Sequence, residues 1–201
     1  MARATVSDPI RNFKFQVNII PTGPSNRLAA STQGLGSLGF AVMSGLSVQN
    51  QMIGYREGGM NTHPHKLVGQ SDFAPVTFSR GVFYNQPQMY RWQEFLHSWN
   101  QASDGSTTGG NDYRCDIVVK IYDHPVSAGT YQTPAATNGN TPNLGGVRLA
   151  VKLFDCWPGA YALSDLNAAD SGIMVQQLTV HHEGFYVAWT DDKIATIDTA
   201  Q

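Results

Sequence analysis

The chain has 201 residues, of which 41% are hydrophobic and 14% are charged, and its formal net charge is −2. This length and hydrophobic content are enough for a packed core, but the charged fraction is well below the roughly 25% of an average soluble domain. Because Lys and Arg are scattered singly along the sequence, nothing points to a nucleic-acid-binding domain.

The sequence also carries no targeting signal. No run approaches the ~18 apolar residues of a membrane-spanning helix, and the N-terminus lacks the apolar region of a signal peptide. We therefore expect synthesis in a bacterial or host cytoplasm and no membrane insertion. Cys115 and Cys156 have neither metal nor redox spacing, so buried free thiols are expected, and a disulfide is the less favoured alternative.

The first third of the chain predicts three strands. Residues 12–20 alternate apolar and polar side chains with period two, as in a half-buried strand. Residues 21–38 form a loop by composition. A second strand begins near Gly39 and continues past Gly45 to Tyr55, and a third covers about 66–80 with interruptions at Gly69 and Pro75.

A single helix is predicted after Pro87, which suits a first helical turn. Its apolar residues recur every three or four positions, as in a helix packed on a core: Met89, Trp92, Phe95, Leu96 and Trp99. The same aromatic side chains could line a ligand pocket, but helical spacing favours core packing.

Strand alternation returns at 113–122 and 147–154, separated by a long exposed loop at about 124–146. A last strand covers about 173–187, and its apolar set changes parity, which predicts a bulge near Gln176-Gln177. The predicted fold is therefore all-β with one flanking α-helix, in a single domain over residues 1–201.

Candidate catalytic and metal-binding residues are incomplete sets. His63 and His65 have no further ligand nearby, and His181 and His182 face opposite ways on a strand. The acidic residues show no spacing that brings two together for acid–base chemistry: Glu57, Asp165, Asp170 and Glu183. The sequence predicts no enzyme, no metal and no cofactor.

The glycine-rich segment after Tyr55 is the best candidate for a contact site. An ordinary strand end with a tight turn would explain Gly58 and Gly59, but the polar stretch that follows has little to bury. A projecting arm that contacts a neighbour fits better. The candidate interface residues are Tyr55, Arg56, Glu57, Gly58, Gly59, Met60, Asn61, Thr62, His63 and His65.

Sequence blocks along nearly the whole chain carry a family resemblance. In order they are Asp8-Pro, Asn12-Phe-Lys-Phe, Ser44-Gly-Leu, Tyr55-Arg-Glu-Gly-Gly, His65-Lys-Leu-Val-Gly69, Phe78-Ser-Arg-Gly81, the Trp92 helix, Cys156-Trp-Pro158 and His182-Glu-Gly184. With these blocks the chain resembles the inner tail-tube protein of contractile phage tails and contractile injection systems, the T-even-type tube family. The loops at 21–38 and 124–146 look longer than the usual connections in that family.

The resemblance implies a β-sandwich or barrel that assembles into hexameric rings, stacked into a hollow tube that conducts DNA or effector cargo. Partners would be further copies of the chain and sheath, baseplate or spike and terminator proteins, and the arm would make ring-to-ring or subunit contacts. It also implies a lumen lined by strands near 40–55, 66–80, 147–156 and 172–187, with strand 12–20 behind them. Arg148 and Lys152, on the polar face of 147–154, are candidates to face the lumen.

Two other functions stay open at this point. One is a secreted hexameric ring of a type VI-like secretion system. The other is a soluble β-sandwich enzyme or carbohydrate-binding module, which the missing site disfavours. The sequence does not separate a phage from an injection system, or a contractile from a sheathless tail.

Overall fold

The computed structural model of the protein describes most of the chain. The described residues are 10, 12–22, 37–59, 62–100, 113–122, 147–168 and 171–198. Over these residues the backbone forms ten strands and two helices. In chain order they are β1 (Phe15–Pro21), β2 (Ser37–Leu38), β3 (Val42–Ser44), β4 (Val48–Tyr55), β5 (His65–Phe73), β6 (Val76–Gly81), α1 (Gln88–Asn100), β7 (Cys115–Tyr122), β8 (Val147–Leu163), β9 (Val175–His181), β10 (Gly184–Ala188) and α2 (Asp191–Ala195).

Eight of the strands in the described chain form one antiparallel sheet in the order β2-β1-β7-β8-β9-β6-β3, with β10 also paired to β8. The sheet curls on itself, because Val17 of β1 and Phe78 of β6 belong to the same buried cluster. The predicted β-rich sandwich with a flanking helix is confirmed.

Strand β8 joins the two halves of the curled sheet. Its 17 residues pair first with β7 and β10 and then with β9. Three register shifts interrupt it, one at Arg148, one at Asp155, where φ is 49°, and one at Gly159. A side chain at Gly159 would place its Cβ 2.4 Å from Cδ2 of His181, whose ring stacks on Trp157. Such bulges bend a strand, which lets β8 serve both walls.

The main core lies between the two walls and contains most of the inward-facing residues that the alternation predicts: Val17 and Ile19 of β1, Cys115, Ile117 and Val119 of β7, and Val151 and Leu153 of β8. Val147, at the start of β8, packs on the opposite face of the sheet instead. Cys115 and Cys156 lie opposite each other in the β7–β8 ladder as buried free thiols. Helix α1 closes this core with Met89 and Trp92, both fully buried, and the Trp92 indole Nε1 donates a hydrogen bond to the carbonyl oxygen of Tyr113 at 3.0 Å.

A second, smaller core covers the opposite face of β7, β8 and β10. It is built from Val118, Ala150 and Ala188, and Ile197, which follows α2, is fully buried among them. The sequence did not predict this layer. Because α2 and its C-terminal continuation lie over this face of the sheet, the face is not open to solvent.

Lys152 points into this covered face, and the prediction that it meets water is wrong within the protomer. Only 4% of the residue is exposed. Its Nζ lies 3.0 Å from Oδ2 of Asp116, and the other carboxylate oxygen accepts a hydrogen bond from the backbone N–H of Asp155 at 3.2 Å. The lysine is therefore one half of a buried ion pair.

The last predicted strand is divided into β9 and β10, and the bulge predicted at Gln176-Gln177 is wrong. The ladder with β6 runs without a shift from Val175 to Val180. The apparent change of parity arises because Gln176 is a polar residue that faces inward. Its Oε1 accepts a hydrogen bond from the Tyr161 hydroxyl at 3.1 Å.

The predicted long loops fall mostly outside the described residues. Within the first of them, Ser37–Leu38 forms the short strand β2 beside β1. No helix in the described part of the chain is long and apolar enough to cross a bilayer.

Candidate assembly interface

Strands β4 and β5 form a two-stranded sheet of their own, separate from the main sheet. They pair antiparallel from Val48 opposite Phe73 to Tyr55 opposite His65, with one register shift between Asn50 and Met52. We call these two strands and the turn between them the arm. Every residue of β4 is exposed.

The arm continues the β3–β6 hairpin without a slip in register. Ser44 faces Thr77 in the main sheet, and Val48 faces Phe73 four residues further along each strand. The break between the two parts falls at Gly45 and Pro75. Gly45 has φ of 94°, and a Cβ there would lie 2.4 Å from the carbonyl oxygen of Pro75. Glycine is required by both the backbone angle and the close approach.

Aromatic contacts fix the base of the arm to the body. The Phe73 ring packs edge-on against Phe185 at 5.8 Å. The His182 ring lies 5.8 Å from Phe73, and its Nε2 is 3.1 Å from the carbonyl oxygen of Ala74. His181 is exposed while His182 is buried, as expected for neighbours on a strand.

Both faces of the arm carry exposed apolar side chains. Partners in the ladder share a face, so Met52 lies beside Val68 on one face and Ile53 beside Leu67 on the other. Val68 is 83% exposed. An isolated two-stranded sheet is marginally stable in water, and exposed apolar patches mark contact surfaces. Both faces of the arm are therefore suited to burial against other protein surfaces.

The candidate interface residues lie at the tip of the arm. Tyr55 and His65 form the last pair of the ladder. Arg56, Glu57, Gly58, Thr62 and His63 are exposed beyond it, and Gly59 has φ of 100°. Met60 and Asn61 lie outside the described residues. In the described part of the chain, no group of three or more potential metal ligands comes together.

The apolar strand residues of the arm are the part that sequence reasoning missed. Their signal is the pair of adjacent apolar residues in each strand, Met52-Ile53 and Leu67-Val68. Adjacent residues in a strand face opposite ways, so such pairs make both faces apolar. A strand with one solvent face would alternate instead.

The sheet has a second open surface, on the outer side of β6, β9 and the end of β8. Its residues form two rows across the three strands: Thr77, Thr179 and Ala160 in one row and Ser79, Gln177 and Ala162 in the other. The Thr77 and Thr179 hydroxyls are 3.2 Å apart. These six side chains are small or polar and uncharged. Arg148, the other lumen candidate, is half-buried on β8.

This architecture agrees with the match to a family model. The model described as T4-like virus tail tube protein gp19 matches residues 11–186. The chain belongs to this tail tube protein family. The family resemblance of the sequence blocks is thereby confirmed, and the function of the chain is that of a structural tail tube protein.

Three solved structures have the same fold. A chain of the anti-feeding prophage baseplate is 16% identical with a TM-score of 0.66, covering 92% of this chain and 99% of its own. A chain of the anti-feeding prophage cap is 21% identical with a TM-score of 0.62, covering 94% and 97%. A chain of the sheath-tube complex of an extracellular contractile injection system, PVC, is 19% identical with a TM-score of 0.61, covering 92% of this chain and 95% of its own. No curated protein sequence matches this tail tube protein.

Proposed function

We propose that copies of this chain close into a hexameric ring, and that the rings stack into a hollow inner tube of a phage tail or contractile injection system. The tube conducts DNA or protein cargo without chemistry. The observation that carries the proposal is the arm, a detached two-stranded sheet with exposed apolar side chains on both faces.

The arm supports assembly because its apolar side chains are exposed in a single protomer. Burial of apolar surface stabilises a complex by about 25 cal/mol per Å² before the cost of association. Strands β2 and β3 end the main sheet of the described chain, each with one unpaired side. Ring closure removes free sheet edges, which otherwise promote uncontrolled pairing. Head-to-tail stacking of rings then generates an open filament.

The lumen is assigned in this proposal to the uncharged rows on β6, β9 and the end of β8, in place of Lys152. A passage for cargo must not retain what it conducts, and a basic surface would bind phosphates strongly. Thr77, Ser79 and Gln177 offer hydrogen bonds without net charge. Six-fold repetition of a charge at any of these positions would create a strong field in the lumen.

The partners follow from the relatives. One solved neighbour belongs to a baseplate, one to a tube-terminating cap and one to a sheath-tube complex. We infer that this chain meets a baseplate at one end of its tube and a terminator at the other, with a sheath around it in a contractile particle.

Electron microscopy of the purified chain tests the proposal. The matched variant replaces residues 46–74 by a short Asn-Gly turn, which joins β3 directly to β6. Wild-type protein should form long tubes with a central channel, while the arm-less variant stays folded and unassembled. Isolated rings from the wild type would favour a secreted ring of the type VI kind. Monomers at high concentration would overturn the proposal.

A further inference from the structure

Arg80 is a buried cation whose hydrogen bonds are incomplete. Only 3% of the residue is exposed, because it shares the inward face of β6 with Val76 and Phe78. Its Nη2 donates to Oε1 of Gln86 at 2.5 Å. Among the described residues, Nε and Nη1 are closed to water and have no acceptor.

The surroundings of Arg80 supply no counter-charge in the described structure. Gln176 lies opposite it in the ladder, but the side chain of Gln176 bonds to Tyr161 and to the carbonyl oxygen of Gly81. Burial lowers the pKa of Arg80, yet a guanidinium stays charged in proteins. Buried charges are normally paired, and leaving N–H groups without acceptors is costly.

A pocket of about 510 Å³ opens beside this guanidinium, and we call it the Arg80 pocket. It is lined by Leu38, Gly39, Phe40, Ala41, Arg80, Gly81, Phe83 and Gln86. The Phe83 ring centre lies 5.2 Å from the guanidinium carbon. Phe83 is 56% exposed, so a ligand would reach the guanidinium by displacing this surface ring.

We propose that the Arg80 pocket receives a carboxylate side chain from a second copy of this chain. The two carboxylate oxygens supply acceptors for the N–H groups that Gln86 leaves unpaired, and guanidinium and carboxylate groups match in geometry as well as charge. The inference rests on the proposed assembly and adds to it a specific ion pair between copies.

Two features favour a neighbouring copy over a free anion. Val82, Phe83 and Tyr84 are three consecutive exposed hydrophobic side chains, and Phe83 lines the pocket. A small anion would leave these hydrophobic side chains exposed, whereas a protein surface would bury them around the ion pair. The pocket wall at Phe40 and Ala41 leads directly into β3, which ends the sheet and has an open side in the described structure.

The test compares Arg80→Met with Arg91→Met, an exposed arginine of α1 that serves as the matched control. Methionine keeps the length of the side chain and removes the charge. Two quantities are measured: the melting temperature of dilute, unassembled protein and the critical concentration for tube formation in a sedimentation assay. A third sample, Arg80→Lys, keeps the charge but loses the planar set of donors.

We expect Arg80→Met to keep or raise the melting temperature, because an unsatisfied buried charge is removed. Its critical concentration should rise about tenfold to a hundredfold, as expected for loss of one charged hydrogen-bonded pair. Arg80→Lys should fall in between, and Arg91→Met should match the wild type in both measurements.

Two outcomes would overturn the inference. In one, Arg80→Met destabilises the unassembled protein, which would make Arg80 a structural residue. In the other, its tubes form at the wild-type concentration while acetate raises the melting temperature of wild-type protein only, which would make the pocket a site for free carboxylates. If the wild type formed no tubes at all, the proposed function itself would fail.

Discussion

At the scale of single residues, Trp92 fixes α1 to the body of the protomer. Its indole is fully buried in the main core, and its only polar atom is satisfied by the Tyr113 carbonyl. The side chain therefore contributes both apolar burial and a hydrogen bond at the end of β7. No other tryptophan with a described side chain is as deeply buried.

Trp92→Ala should lower the free energy of unfolding by about 3–5 kcal/mol, the usual cost of removing a large side chain from a packed core. Chemical denaturation of the unassembled protein measures this. Trp189→Ala is the control, because Trp189 is 70% exposed, and its effect should stay within about 0.5 kcal/mol. Equal effects of the two changes would contradict the packing described for α1.

Lys152 and Lys120 form ion pairs at different depths and so allow a matched comparison. Lys152→Met leaves Asp116 buried without its partner and should cost about 3–5 kcal/mol. Lys120 pairs with Asp198 at 2.7 Å, but that carboxylate is exposed, so Lys120→Met should cost no more than about 1 kcal/mol. Denaturation curves of both variants show which substitution lowers the free energy of unfolding more. If Lys152→Met left the free energy of unfolding unchanged, this lysine would meet solvent.

At the scale of elements, patterns of period two and 3.6 are the parts that can be read from sequence. Alternation placed β1 and β7, and the apolar stripe placed α1, because each buries one regular face. Helix α2 was missed since its five residues are too few to show a stripe. Lys152 was misassigned for the same reason, because the segment that covers it could not be seen.

The separation of the arm from the sheet could not be read from sequence either. It depends on the φ of Gly45 and on the carbonyl of Pro75 beside it, and both depend on tertiary packing. The polar segment at the tip was recognisable from its glycines. Arg80 could have been assigned inward, because it has the parity of Val76 and Phe78, but its missing acceptors are visible only in three dimensions.

Gly59 tests the role of the arm tip. Gly59→Val should block tube growth while the protomer stays folded, because valine tolerates a φ of 100° poorly. Gly172→Val is the control, since Gly172 lies outside the arm, a Cβ there meets no atom within 4 Å and the backbone there needs no positive φ. Tube length by electron microscopy and melting temperature are the two measurements. If Gly59→Val formed tubes of wild-type length, the backbone conformation of the arm tip would not be needed for assembly.

At the scale of the whole molecule, one outer face of the curled sheet is covered by other residues of the chain and the second is exposed. One is covered by α2 and the segment that ends in Ile197, and the other is left open with uncharged side chains. In the proposed tube the open face borders the channel. Helix α2 then lies on the face of the sheet that is directed away from the channel.

A cysteine at position 177 distinguishes the two sides. Gln177→Cys should react with a bulky polymer-linked maleimide in dissociated protomers and be protected in assembled tubes, while Asp192→Cys on α2 should react in both. The native thiols give little background, because burial raises the pKa of Cys115 to about 12 and that of Cys156 as well. Labelling of Gln177→Cys in intact tubes would place its face outside.

The unbroken register between the arm and the β3–β6 pair also determines how the protomer bears mechanical load. A pull on the arm along its strands is transmitted directly into β6, which is paired with β9 from Val76 to Gly81. The pull acts parallel to the strands, so the hydrogen bonds of that ladder are stretched together in shear and none is opened in succession. A tether built in this way resists tension along its own axis and yields to a sideways peel.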